Sequence, residues 1–208
     1  MKNLSEISQP VVAIVLAAGS SRRFGSDKRL HVIEGVNLLQ RSLSKPLAMN
    51  IPTLVVLRPS DKGNVSDLLG SYLKDPRVEL LFAADADRGM GHSLACAARY
   101  LVDDCTEKRN PNFREMIAAL VLLADMPWIK LESIANIVGA YSEKKIVIPT
   151  YKNEWGHPIL FSRRWFDDLE KLSGDRGAKH LLQANRDALI ELQVGDEGIF
   201  RDVDVAPD

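Results

Sequence analysis

Between Gly19 and Lys28 the chain gathers residues that suit one kind of guest. Gly19 and Gly25 bracket Ser20, Ser21, Arg22 and Arg23, and Lys28 follows three residues on. Glycines permit positive φ and close backbone approach, serines add hydroxyl and N–H donors, and the three cations offset anionic charge, a combination that suits polyphosphate. Counting excludes two common phosphate motifs. A P-loop has four residues between its glycines with Lys-Ser or Lys-Thr directly after, whereas five separate Gly19 from Gly25 and Arg29 follows Lys28; the dinucleotide pattern G-x-G-x-x-G is not met. Lys28 is read as an exposed loop lysine.

A second chemical group is acidic. Asp125 follows the most apolar run of the chain in L-L-A-D-M-P-W, where its carboxylate could serve as a hard oxygen ligand for Mg²⁺ or as a helix cap before Leu131. Near the C-terminus Asp202 and Asp204 lie two apart, on one face of an extended segment, where they could complete a metal site or form a solvated acidic tail. Asp204 is the favoured second ligand. Gly89-Met90-Gly91-His92-Ser93-Leu94 opens a helix, whose first N–H groups favour anions. His92 there is read as an ordinary polar contact.

The elements that must position these groups alternate. Val11 to Val15, Thr53 to Leu57, Val78 to Phe82, Ile117 to Leu123 and Ile146 to Ile148 are β-branched or apolar runs of strand length. Pro158 to Phe161, Ala188 to Leu192 and Val203 are further strand candidates. Helices are predicted for Val36 to Leu47, from a cap at Ser60-Asp61 to Leu73, and for Met90 to Leu101, Leu131 to Tyr141, Trp165 to Leu172 and Ala178 to Asn185. The polar stretch Asp103 to Arg114 reads as a surface loop and mobile insertion. Repeated βα alternation predicts a doubly wound, mainly parallel (mixed) Rossmann-like sheet, with ligand sites at the carboxyl ends of its strands.

Composition narrows the field further. A chain of 208 residues, 46% hydrophobic, is expected to form a single domain. With 27 basic and 28 acidic residues there is no global field to draw nucleic acid or an anionic membrane. Cys96 and Cys105 lack disulfide-framework or metal spacing, and no stretch is long enough to span a bilayer. A cytoplasmic location is expected.

Over Leu16, Ala17, Ala18 and Gly19 to Lys28 the chain resembles the L-A-A-G-x-S-x-R-[FM]-G-x-x-K signature of nucleotidyltransferases with a MobA-like fold. Asp125-Met126-Pro127 is similar to the metal-binding L-x-D-x-P segment of that family, and Gly89 to Leu94 to its G-M-x-x-S-L turn. The C-terminal D-V-D-V-A-P-D departs from the family's D-[IV]-D-T-P-E-D at Val205 and Ala206. Gly156-His157-Pro158 and Gly174-Asp175-Arg176-Gly177-Ala178 resemble segments of its molybdenum cofactor cytidylyltransferase branch.

The resemblance implies an enzyme that joins the nucleoside monophosphate of CTP to the phosphate of molybdopterin, with Mg²⁺ as cofactor and a molybdoenzyme or its chaperone as downstream partner. It implies catalytic roles for Arg22, Lys28 and Asp125, and a nucleotide pocket of Leu16, Ala17, Ala18, Gly19, Ser20, Ser21, Gly25, Gly89, Met90, Gly91 and Ser93. Metal would sit on Asp125 and Asp204, and the acceptor against His157, Pro158, Asp175, Arg176 and Gly177, with a nucleotide-binding part over about 11–130 and an acceptor-binding part over about 131–208 of one domain. A GTP-using or sugar-phosphate transferase, and a non-catalytic cofactor-delivery protein, are the alternatives.

Overall fold

A computed structural model describes residues 10–19, 25–103 and 110–203. In chain order its elements are β1 (Val11–Leu16), β2 (Val32–Ile33), β3 (Val36–Asn37), α1 (Leu38–Ala48), β4 (Thr53–Leu57), α2 (Val65–Leu69), β5 (Val78–Phe82) and α3 (Met90–Val102). Then follow β6 (Ala118–Leu123), α4 (Leu131–Gly139), β7 (Ile146–Tyr151), β8 (Glu154–Trp155), β9 (Ile159–Ser162), α5 (Phe166–Leu169), α6 (Lys179–Ala184) and β10 (Leu189–Gln193).

One mixed sheet runs in the order β10-β7-β9-β6-β1-β4-β5, with β8 paired to β7 and β2-β3 forming a separate hairpin. Strands β6, β1, β4 and β5 are mutually parallel, and β9 enters antiparallel between β6 and β7. β1 is buried along its whole length because both faces are covered. Val12, Ile14 and Leu16 pack with Leu94, Ala97, Ala98 and Leu101 of α3 on one side. Val11, Ala13 and Val15 pack with Leu39, Leu43 and Leu47 of α1 on the other, as the two-residue period of a strand requires.

The strand order also says where a ligand belongs. After β1 the chain moves to β4 and β5 on one side, and later to β6 on the other, so its connections diverge at the carboxyl ends of β1 and β6.

Several local expectations change. The first helix begins at Leu38, because the Asn37 side chain accepts from Gln40 N and Val36 belongs to a hairpin. The long helix expected from Ser60-Asp61 to Leu73 is instead a 3-10 turn over Pro59–Gly63, the short α2, and a second 3-10 turn over Gly70–Lys74. Gly70, at φ 57°, breaks the run, and Asp61 is engaged elsewhere. Within the expected loop, residues 104–109, Cys105 among them, lie outside the described residues, while Phe113 is fully buried and joins the core. Val203 is not a strand.

Candidate active site

The loops after β1, β4, β5 and β6 open into a cleft of about 780 Å³. Leu16, Ala17, Ala18, Gly19, Lys28 and Asp125 line it on the side where the connections diverge. Asp125 reaches this edge because β6 is held to β1 along its length and Ala124 N donates to the Leu16 carbonyl. The Ser42 hydroxyl of α1 donates to the Ala124 carbonyl at 3.0 Å and fixes the turn from behind.

Lys28 Nζ donates to Asp125 Oδ2 at 3.0 Å across 97 positions of sequence. Lys28 is not the exposed loop lysine expected from its glycine-rich surroundings: it is 9% exposed, on a 3-10 turn that the Asp27 side chain caps through Arg29 N. Ser20, Ser21, Arg22 and Asp204 lie outside the described residues. Gly25 has φ 74°, a conformation suited to glycine.

Beneath the cleft lies a group of charges that sequence reading did not single out. Arg29, 5% exposed, forms a bidentate pair with Asp61 at 2.6 and 2.8 Å, binds Asp27 through Nε and Nη2, and donates through Nη1 to the Ala17 carbonyl at 2.7 Å. All its donors are used, and the exit of β1 is thereby tied to the loop after β4. Burial opposes the charge on Arg29, but the hydrogen bonds that it donates to Asp61 and Asp27 outweigh this and raise its pKa further. Burial pushes Asp61 up, yet hydrogen bonds from Arg29 and Arg58 hold its carboxyl at about 2. Asp27 is likewise lowered, its desolvation overcome by Arg29. In sequence Asp61 reads as part of a helix cap with Ser60, and nothing local marks its pairing with Arg29 and Arg58.

The turn that opens α3 is built against a distant loop. Gly89 and Met90 line the cleft with Ser93 and Asp175. Gly91 N donates to the Gly174 carbonyl at 2.8 Å, so it is not available to an anion. A Cβ on Gly89 would stand 2.4 Å from Asp175 Oδ1, and one on Gly91 would stand 2.6 Å from the Ser173 carbonyl oxygen. The 89–91 and 173–175 backbones therefore touch, and Asp175, expected on the acceptor side, shares a wall with the helix-opening turn. Gly91→Ala is expected to cost about 1–3 kcal/mol by this overpacking and to weaken nucleotide binding with it. Urea unfolding and nucleotide titration of the variant check both effects.

The remaining motifs meet on the other side of Asp125. His157 N donates to the Ile199 carbonyl and Val203 N to the Asp125 carbonyl, at 2.9 and 3.1 Å. Buried Asp196 accepts from Lys130 N, Ser133 Oγ and Gly198 N, while the Arg201 guanidinium lies 4.5 Å over the Trp128 ring. These contacts lead the C-terminal segment past Asp125 as far as Val203. His157 Nδ1 is enclosed with no hydrogen-bond partner among the described residues. Burial lowers the His157 pKa, with the Val121 backbone and the Asp125 charge opposing, so the ring is neutral at neutral pH. It therefore does not supply a positive charge there. Pro158, after a cis bond, and Gly177 lie outside the cleft lining, and Arg176 is exposed, its Nη1 3.4 Å from His180 Nε2.

Among the described residues nothing donates to the second carboxylate oxygen of Asp125, which suits a cation that also keeps waters and phosphate oxygens as ligands. Among the described residues no group of three or more His, Cys, Asp or Glu side chains is placed to hold a metal alone. A cation arriving with a nucleotide fits this donor set. Among the described residues no helix is long and apolar enough to cross a membrane.

The family model for the MobA-like NTP transferase domain matches residues 13–189. The chain belongs to that family. Nucleotidyl transfer from a nucleoside triphosphate is the activity of this class, and the Rossmann-like mixed sheet is its fold. This MobA-like domain is 26% identical to the purine catabolism protein PucB of Bacillus subtilis, over 93% of this chain and 91% of that protein. It superposes with a TM-score of 0.74 on the Rv0371c homologue of Mycobacterium sp. strain JC1, at 26% identity, covering 94% of this chain and 91% of that one. Rv0371c of Mycobacterium tuberculosis H37Rv, solved in complex with manganese, superposes with a TM-score of 0.66 at 23% identity, covering 88% of each chain.

Proposed function

We propose that this MobA-like domain transfers a cytidylyl group from CTP to the terminal phosphate of molybdopterin, releasing pyrophosphate. The observation that carries the reading is the meeting of Lys28 and Asp125, 3.0 Å apart, at the divergence of β1 and β6. The Gly156-His157-Pro158 and Gly174 to Gly177 segments support the pterin acceptor.

In this reaction an oxygen of the acceptor phosphate forms a bond to the α-phosphorus as the bond to the bridging oxygen of pyrophosphate breaks. No side-chain nucleophile is needed, and catalysis is positioning plus neutralisation of charge. A bound Mg²⁺ would supply Lewis-acid neutralisation of the phosphate charge. Asp125 would hold that ion. Lys28, paired with Asp125 at 3.0 Å, would bring its ammonium charge to phosphate oxygens at the same place. Arg22 would add charge to the leaving pyrophosphate, and Asp204 would join the metal. The Ala17 to Gly19 and Gly89 to Met90 backbones flank the nucleotide. His157, Pro158, Asp175, Arg176 and Gly177 are assigned to the acceptor side, with a molybdoenzyme or its chaperone as recipient of the product.

CTP is expected to be used at least about tenfold better than GTP, a difference of roughly 1.4 kcal/mol. Pyrophosphate release with Mg²⁺, molybdenum-loaded molybdopterin and each of the four triphosphates measures it. Faster release with GTP would overturn the cytidylyl assignment. Release only with a sugar phosphate as acceptor would overturn the pterin assignment.

A further inference from the structure

Arg58 stands at the carboxyl end of β4 and lines the cleft, though no sequence motif marks it as functional. Its guanidinium is fixed from one side only. Nη2 donates to Asp61 Oδ1 at 3.0 Å and to Asp27 Oδ2 at 3.2 Å, and Nε lies 3.4 Å from Asp61 Oδ2. Asp61 in turn is clamped by the buried Arg29. Nη1 makes no hydrogen bond to any described residue, so two donors of a held guanidinium remain for a ligand. The side chain is 27% exposed, enough to be reached and too little to swing freely.

Which part of a nucleotide meets it follows from the sheet. Neighbouring strands lie about 4.8 Å apart, so the ends of β6 and β4, with β1 between them, are about 10 Å apart. With phosphates at Lys28 and Asp125, a nucleoside extending across β1 brings its base towards the end of β4. Ala84 and Ala86 after β5, with their small side chains, line the cleft farther along the same direction. Arg58 is also balanced already: Arg29 and Arg58 carry two positive charges against those of Asp27 and Asp61, so it has little net field to offer a polyphosphate.

Resting on the nucleotide-binding reading of this cleft, we infer that Arg58 is a specificity-determining residue that reads the acceptor edge of a pyrimidine base through Nη1. Cytosine presents adjacent acceptors, O2 and N3, either of which can accept from Nη1. Uracil presents O2 beside an N3–H, which would face the guanidinium donor to donor and leave both groups unpaired.

The test is equilibrium titration of the whole protein, with Mg²⁺, by CTP, UTP and inorganic tripolyphosphate. Wild type is expected to prefer CTP to UTP by at least about tenfold. Arg58→Ala should bring that ratio close to one while leaving tripolyphosphate affinity little changed. Arg58→Lys keeps a charge for Asp61 and Asp27 but lacks the planar fork, so it should fold and also lose the preference. A preference surviving in both variants, or absent from wild type, overturns the inference. Equal weakening of CTP and tripolyphosphate would make Arg58 a phosphate ligand and overturn it too. If no triphosphate binds wild type, the nucleotide reading itself falls and this inference with it; if CTP binds well whatever stands at 58, only the inference falls.

Discussion

Asp125→Asn is expected to lower metal-dependent pyrophosphate release by about a thousandfold, the scale on which losing one electrostatic contact to a transition state is felt. Three features make this position costly to change. The carboxylate is presented by a turn held from two directions, through Ala124 N to Leu16 and through Ser42 to the Ala124 carbonyl. It is the described acid that meets Lys28 at the cleft, and the passing C-terminal segment bonds to its own carbonyl through Val203 N. Asparagine preserves the shape and an oxygen for Lys28, so the fold should lose no more than about 1 kcal/mol, as for other partly exposed ion pairs. Rate and urea midpoint measured together separate the two roles. A rate near that of wild type in saturating Mg²⁺ or Mn²⁺ would show that this carboxylate does not hold the reacting cation.

How much of this site could be read in the sequence depends on the kind of interaction involved. β1 and β6 were legible because a strand covered on both faces must be apolar throughout, and Val11 to Leu16 and Ala118 to Leu123 are. Their carboxyl-end loops followed, and with them Gly19, Lys28 and Asp125. The direction of β9 was not legible: an apolar run of four residues says nothing about whether it pairs parallel or antiparallel, which depends on the chain that links it to β7. Buried charge was the larger gap. Asp61 has the local pattern of a helix cap, and its pairing with Arg29, 32 positions away, appears only when β1 and β4 lie side by side. Lys28 reads as an exposed lysine for the same reason, its partner being 97 positions distant. The contact between Gly91 and Ser173 carries no local mark either, since a glycine that begins a helix and one that lets another backbone approach have the same sequence signal.

Asp61→Asn is expected to destabilise the protein by about 3–5 kcal/mol, the cost of removing one partner from a buried ion pair and leaving the other charge uncompensated. Arg29 would keep only Asp27 as an anionic partner, and Arg58 would lose most of what holds it. The pH dependence of wild type should carry the same signature. The folded pKa of Asp61, about 2, lies below the ordinary value of 3.8, so the folded state binds the proton less readily than the unfolded chain. The stability contributed is therefore complete above about pH 4 and is lost as pH falls through the window down to about 2, amounting to about 2 kcal/mol. Urea midpoints measured from pH 5 to pH 2 should show this slope in wild type and a shallower one in Asp61→Asn. The double variant Arg29→Met with Asp61→Asn removes both charges, and a buried pair exchanged for apolar packing is often tolerated. It should recover much of the stability lost by Asp61→Asn alone, but not the anchoring of the Ala17 carbonyl that Arg29 provides. A double variant no more stable than the single one would show that the pair is needed for packing rather than for charge balance. An Asp61→Asn protein as stable as wild type would show that the four charges contribute nothing net to the fold.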